Sequence, residues 1–245
     1  MQQIAAFHNS AAMRRTAPPA SYNPYDDVPT LPRPRLADLD TSHHPLVAAA
    51  VDAARLWARR YNTWNREETR APWLVLSGPN GTGKTHIARC IWSAFAYTIN
   101  VTEGDPRDRG GRELVVERPT GRFWRADELM TDITELRDGA GVGSLIGAAP
   151  IVVLDDVGAE GTLQYIGKEQ QEYERHVRYF RFIDFCYYQS NGIPGVLTTN
   201  LTLRDLADYI GKRAWDRLNE MAPLGQMVSL EGVPSWRVKA AGRSH

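Results

Sequence analysis

A chain of 245 residues with 42% hydrophobic side chains is long enough to bury one sizeable α/β core and too short for two large domains. Its 29 Lys and Arg balance 29 Asp and Glu, which excludes a globally basic nucleic-acid or membrane-surface binder and leaves only local patches for such contacts. Cys90 and Cys186 have no Cys-x-x-Cys spacing, excluding a disulfide framework and a zinc ribbon, and no apolar run approaches the roughly 18 residues of a membrane span, so a cytoplasmic protein with no membrane partner is expected.

Residues 1–40 carry Pro18, Pro19, Pro24, Pro29, Pro32 and Pro34 with few large apolar side chains, a composition that favours an extended arm free to meet a partner. The folded domain is expected over residues 41–245. Asp40, Thr41 or Ser42 is a candidate cap for a first helix, along which Trp57, Tyr61 and Trp64 recur on one face. That face reads either as core packing or, with Arg55, Arg59, Arg60 and Arg66, as a stacking strip for nucleic acid. Trp73 to Ser77 is a buried strand, followed by a glycine-rich turn and a helix over Ile87 to Tyr97. Gly104 to Gly111 reads as an exposed loop or hairpin tip. Arg112 to Glu117 and Thr120 to Arg125 compete for the next strand, and Ala126 to Arg137 is helical. A strand over Ile151 to Leu154, a helix over Gln170 to Gln189 and a strand over Gly195 to Thr198 follow. Helical pieces at Leu203 to Ile210 and Arg213 to Glu220 and a last strand at Met227 to Leu230 complete the series. Strands alternating with helices indicate a parallel sheet covered on both faces.

Gly78-Pro79-Asn80-Gly81-Thr82-Gly83-Lys84-Thr85 matches G-x-x-x-x-G-K-[ST] in full, between the strand and the helix that this pattern requires; His86 adjoins it. Glycines at 78, 81 and 83 let the backbone curl so that its N–H groups point at phosphates, aided by the positive end of the following helix. Lys84 would reach the β- and γ-phosphates of ATP, and the Thr85 hydroxyl is the expected ligand for Mg²⁺.

A phosphate-binding turn alone does not separate kinases, G proteins and ATPases. Ile151-Val152-Val153-Leu154-Asp155-Asp156 ends an apolar strand in two carboxylates, of which Asp155 would hold Mg²⁺ and Asp156 would polarise the attacking water. Asp156 stands where a longer Glu is common, so slow hydrolysis is expected. Gly195 to Asn200 ends another strand in a polar residue, and Asn200 would orient the water and the γ-phosphate if that strand lies centrally. Arg213 and Arg217 share a helical face; one could act as an arginine finger in a neighbouring subunit while the other serves its own site, or both could form ordinary ion pairs.

This order of motifs, with Leu154-Asp155-Asp156-Val157-Gly158-Ala159-Glu160, Leu197-Thr198-Thr199-Asn200-Leu201 and Gly211-Lys212-Arg213 with Asp216-Arg217-Leu218, resembles the DnaC/DnaI-like bacterial replicative helicase loaders and the related IstB transposition ATPases over about residues 40–238. The resemblance implies an AAA+ P-loop fold, an α/β architecture with sheet order 5-1-4-3-2 and no separate lid domain. It also implies ATP-dependent homo-oligomerisation, binding of single-stranded DNA, and a DnaB-type helicase as partner. On matching positions Asn200 takes the first sensor role, Arg213 the finger and Arg217 the second sensor, while Ser235-Trp236-Arg237 resembles the element that closes these proteins. The expected function is loading or remodelling of a replicative helicase during DNA replication. Alternatives are a transposition helper with a transposase partner, a nucleotide-binding DNA adaptor without turnover, and, least favoured, a small-molecule kinase.

Overall fold

Alternation in the central strands serves two cores at once. In β1 (Trp73–Ser77) every residue is buried: Trp73 and Val75 face one hydrophobic cluster, Leu74 and Leu76 the other. A strand buried on both faces reads as an unbroken apolar run, which is why these segments stand out in the sequence. The same division recurs in β5 (Val152–Val157), where Val152 and Leu154 join the first cluster and Val153 the second. The computed structural model describes residues 34–64, 70–95, 99–103, 112–116, 121–136, 141–147, 149–159, 167–188, 192–223 and 225–236.

With β4 (Arg122–Arg125), β6 (Gly195–Thr199) and β7 (Met227–Ser229), these strands form a five-stranded, all-parallel sheet in the order β4-β5-β6-β1-β7. Numbering only its members in chain order gives 5-1-4-3-2, the expected arrangement. β2 (Ile99–Glu103) and β3 (Arg112–Val116) form a separate antiparallel pair. The two segments that compete in the sequence, Arg112 to Glu117 and Thr120 to Arg125, are therefore both strands, in different sheets. The expected loop at Gly104 to Gly111 lies outside the described residues.

One face of the sheet is covered by α1 (Pro45–Thr63) and α2 (Lys84–Phe95), whose Val51, Trp57, Ile87 and Ile91 belong to the second cluster. The other face is covered by α3 (Ala126–Glu135), the short α4 (Gly143–Ile146), α5 (Lys168–Tyr188), α6 (Leu203–Ile210) and α7 (Lys212–Met221). Two fully buried tryptophans tie the layers together, each satisfying its indole N–H on a backbone carbonyl: Trp57 on Pro72 at 2.9 Å and Trp73 on Ile193 at 2.8 Å.

The first helix is capped differently from the expectation at Asp40, Thr41 or Ser42. His44 is the N-cap and its Nδ1 accepts from the Leu46 N–H at 3.2 Å, with Pro45 supplying the first helical residue, where a missing N–H costs nothing. Asp40 instead accepts from the Ser42 backbone and hydroxyl. Trp57 packs into the core and forms a mutual ring cluster with Tyr61 and Phe95, so the aromatic face is core packing; Trp64 lies past the last helical turn. Leu36 and Leu39, within the segment expected to be an arm, pack against the second cluster, while residues 1–33 lie outside the described residues. No helix among the described residues is long and apolar enough to cross a membrane.

Candidate nucleotide site

The C-terminal ends of β1, β5 and β6 are neighbours because β6 lies between the other two, and the polar residues that end each strand meet there. Such a sheet edge is where ligands enter open α/β folds. Gly78, Gly81 and Gly83 all have positive φ, at 137°, 80° and 96°, so the loop between β1 and α2 takes a course that residues with a β-carbon resist. The Thr82 hydroxyl donates to the Pro79 carbonyl at 3.0 Å and fastens the turn from within.

Lys84 opens α2 and is only 6% exposed. Its Nζ donates to the Gly78 carbonyl at 2.7 Å, the Pro79 carbonyl at 2.8 Å and Asn200 Oδ1 at 3.0 Å. All three ammonium protons are thus directed inward. Burial pushes its pKa down, and the negative charges of Asp156 and Asp155 oppose that shift.

Asn200 joins the cation to an acid. It accepts from Lys84 and its Nδ2 donates to Asp156 Oδ1 at 2.6 Å, so the two partners, a pure donor and an acceptor, fix which way the amide points. The expectation that Asn200 stands between the first two motif strands holds because β6 is central. Asp155 is buried, and its Oδ1 accepts from the Thr85 hydroxyl at 3.0 Å and the Thr198 hydroxyl at 2.5 Å. Two neighbouring carboxylates can serve one site because the β5–β6 ladder slips between Leu154 and Val157, with Asp156 at φ 64°; a regular strand would send successive side chains to opposite faces.

These residues suit a triphosphate with Mg²⁺. An added β-carbon at Gly83 meets nothing within 4 Å, so the loop is open at that glycine. Thr85 and Asp155 supply hard oxygen donors side by side, and a buried carboxylate whose direct partners are hydroxyls is suited to an added cation. No cluster of three or more His, Cys, Asp or Glu able to hold a metal occurs among the described residues. Asn80 and His86 are exposed beside the loop.

The back of the loop is closed by the chain after β7. The Trp236 N–H donates to the Gly81 carbonyl at 2.9 Å, the Leu230 N–H donates to the Ser77 carbonyl at 2.8 Å, and Trp236 meets His43 edge to face at 3.8 Å. Ser235 packs on the same turn, where a β-carbon at Gly81 would stand 2.1 Å from its Oγ, so Ser235 and Trp236 both brace the phosphate loop; Arg237 lies outside the described residues.

Arg217 is engaged away from its own chain's phosphate loop. Arg217 is paired with Asp184 and lies over the rings of Phe180, Tyr188 and Tyr187 at 5.1, 5.3 and 5.5 Å. These partners occupy the last turns of α5, whose end is bonded to the segment leading into β6, through Ile193 N–H to the Cys186 carbonyl at 2.8 Å. That is the opposite end of the sheet from Lys84. Arg213 is exposed, 6.0 Å from the Phe180 ring. Sequence reasoning also passed over Thr198, although a polar residue inside an otherwise apolar buried strand must have a partner.

The sequence matches no protein-family model and no curated protein. Its fold is similar to that of solved structures. Against the crystal structure of DnaI the TM-score is 0.51 at 17% identity, covering 83% of this chain and 90% of that one. Against a protein from Streptococcus pyogenes serotype M3, provisionally described as a primosome component, it is 0.50 at 16% identity, covering 81% and 86%. The five-stranded order, the glycine loop and these likenesses together give the chain an α/β P-loop fold similar to that of DnaI.

Proposed function

We propose that this protein is an ATPase of DNA replication that loads or remodels a replicative, DnaB-type helicase on single-stranded DNA. The observation that carries the reading is the network linking Lys84 to Asp156 through Asn200, beside Thr85 and Asp155, at the strand tips of a fold shared with DnaI. A non-catalytic adaptor has no need of a carboxylate held against a polar sensor.

In this reading the loop amides and the N-terminus of α2 receive the triphosphate, and Lys84 exchanges its loop carbonyls for β- and γ-phosphate oxygens. Thr85 and Asp155 would hold Mg²⁺, which supplies charge neutralisation at the transferring phosphoryl group. Asp156 polarises the attacking water, and Asn200 keeps that carboxylate in line. Arg213, exposed on α7, acts as the finger for a neighbouring subunit in an ATP-dependent oligomer. Residues 1–33, the part of the Pro-rich segment before the core-packing Leu36 and Leu39, grip the helicase.

Replacing Lys84 with Ala should abolish productive ATP binding. Asp156→Asn should retain binding while turnover falls roughly 10²- to 10⁴-fold, the range of a lost general base. If wild type and Asp156→Asn are equally silent while ATP still binds, the ATPase reading falls; equal, measurable turnover would instead remove Asp156 from the catalytic role. Capture of partners from source cells with ATP and single-stranded DNA tests the rest: a replicative helicase, lost on deleting residues 1–33 and so leaving the core-packing Leu36 and Leu39 in place, supports loading, whereas a transposase without helicase overturns it.

A further inference from the structure

Thr198 lies one residue pair before the polar tip of β6 and is 1% exposed. Its single hydroxyl does two things. It donates to Asp155 Oδ1 at 2.5 Å and accepts from the Asp156 backbone N–H at 3.0 Å. The direction is fixed by chemistry, because a carboxylate can only accept and an amide N–H can only donate.

The β-bulge explains why such a group is needed. Between Leu154 and Val157 the pairing with β6 is interrupted, so the Asp156 N–H has left the regular ladder. Asp156 also has φ 64°, uncommon for a residue with a β-carbon. A buried amide without a partner and a left-handed aspartate are both costly, and the Thr198 hydroxyl offsets the first while holding the second in place. The same hydroxyl, with that of Thr85, gathers two hydrogen bonds on Oδ1 of Asp155 and leaves Oδ2 as the freer oxygen.

We infer that Thr198 is a positioning residue that locks both acidic residues at once, aiming Asp155 at the cation and Asp156 at the water through one chain of hydrogen bonds. The inference rests on the ATPase reading and assigns it a member that touches neither nucleotide nor metal. Because the links run through a shared hydroxyl, its loss disturbs metal binding and turnover together while the phosphate loop, held by Lys84 and Thr82, stays as it is.

The test compares Thr198→Val, which preserves shape and removes the hydroxyl, with Thr198→Ser, which preserves the hydroxyl. ATP affinity is measured with excess Mg²⁺ and with a chelator, alongside the Mg²⁺ concentration for half-maximal effect and kcat. The valine variant should bind ATP in chelator within about threefold of wild type, while half-saturating Mg²⁺ rises and kcat falls by roughly 10- to 100-fold, the range for a lost outer-shell partner. The serine variant should restore both. Wild-type Mg²⁺ dependence in the valine variant overturns the inference. So does a serine variant as impaired as the valine one, which would make the methyl group the relevant part. If the valine variant does not fold, Thr198→Ala is read by the same criteria against Thr198→Ser. Failure of the underlying ATPase reading is a separate result, seen when the wild-type protein itself binds no ATP.

Discussion

The three glycines of the phosphate loop look equivalent in the motif and are not equivalent in the structure. A β-carbon at Gly78 would stand 2.9 Å from the backbone of Leu230, whereas one at Gly83 meets nothing within 4 Å. Both have positive φ, so each alanine substitution carries backbone strain of about 1–3 kcal/mol. Only at Gly78 must a neighbouring strand end also move. Gly78→Ala should therefore unfold at lower denaturant, by about 3 kcal/mol or more. Gly83→Ala should lose only about 1–2 kcal/mol and instead lower ATP affinity by more than about tenfold, because the open space is the ligand's. Equal stability losses measured by urea unfolding, with ATP affinity intact in Gly83→Ala, would contradict this division. The motif makes Gly78 to Thr85 legible because the spacing itself encodes the backbone course. Thr198 and the His44 cap are less legible: each acts through a partner whose position depends on strand register or on the entry of a chain segment.

At the scale of elements, strands buried on both faces were readable as apolar runs, and β1 extends over the stretch Trp73 to Ser77 that the sequence marks. β2 was not marked, since Ile99-Asn100-Val101-Thr102-Glu103 alternates too briefly to stand above its surroundings. Helical periodicity places Arg213 and Arg217 on one face of α7 but does not say which helix that face meets. The answer is α5, which also binds the end of α6: Arg175 Nε donates to the Tyr209 carbonyl and His176 Nε2 to the Asp208 carbonyl, each at 3.0 Å, satisfying carbonyls that the helix end leaves free. Arg217 is thereby part of the seam between α5 and α7, with its side chain 24% exposed. Arg217→Ala should lower stability by about 1–2 kcal/mol through the lost ion pair and ring contacts, and leave ATP affinity unchanged. A large loss of ATP affinity with unchanged stability would return Arg217 to the nucleotide site.

The whole molecule carries one thiol on each side of its sheet. Cys90 is 2% exposed on α2, and Cys186 is fully buried on α5 in the opposite cluster. Burial pushes the Cys90 thiol up to about 11 and raises the Cys186 thiol further. Since the thiolate is the reactive form, neither should react appreciably with an alkylating reagent at neutral pH until the fold opens. The nucleotide site is built from α2 and the tips of β1, β5 and β6, the central strands on which both helical layers pack, so a ligand there stabilises the sheet that the two layers share. Saturating Mg²⁺ and ATP at about 100 times Kd should therefore stabilise the folded state by about 2.7 kcal/mol and slow alkylation of both thiols by roughly 100-fold. Protection confined to Cys90 would mean that α2 opens by itself and that the two faces of the sheet are not one cooperative unit. Protection of neither would mean that the nucleotide does not bind the folded chain at the strand tips, and the phosphate site would have to be abandoned.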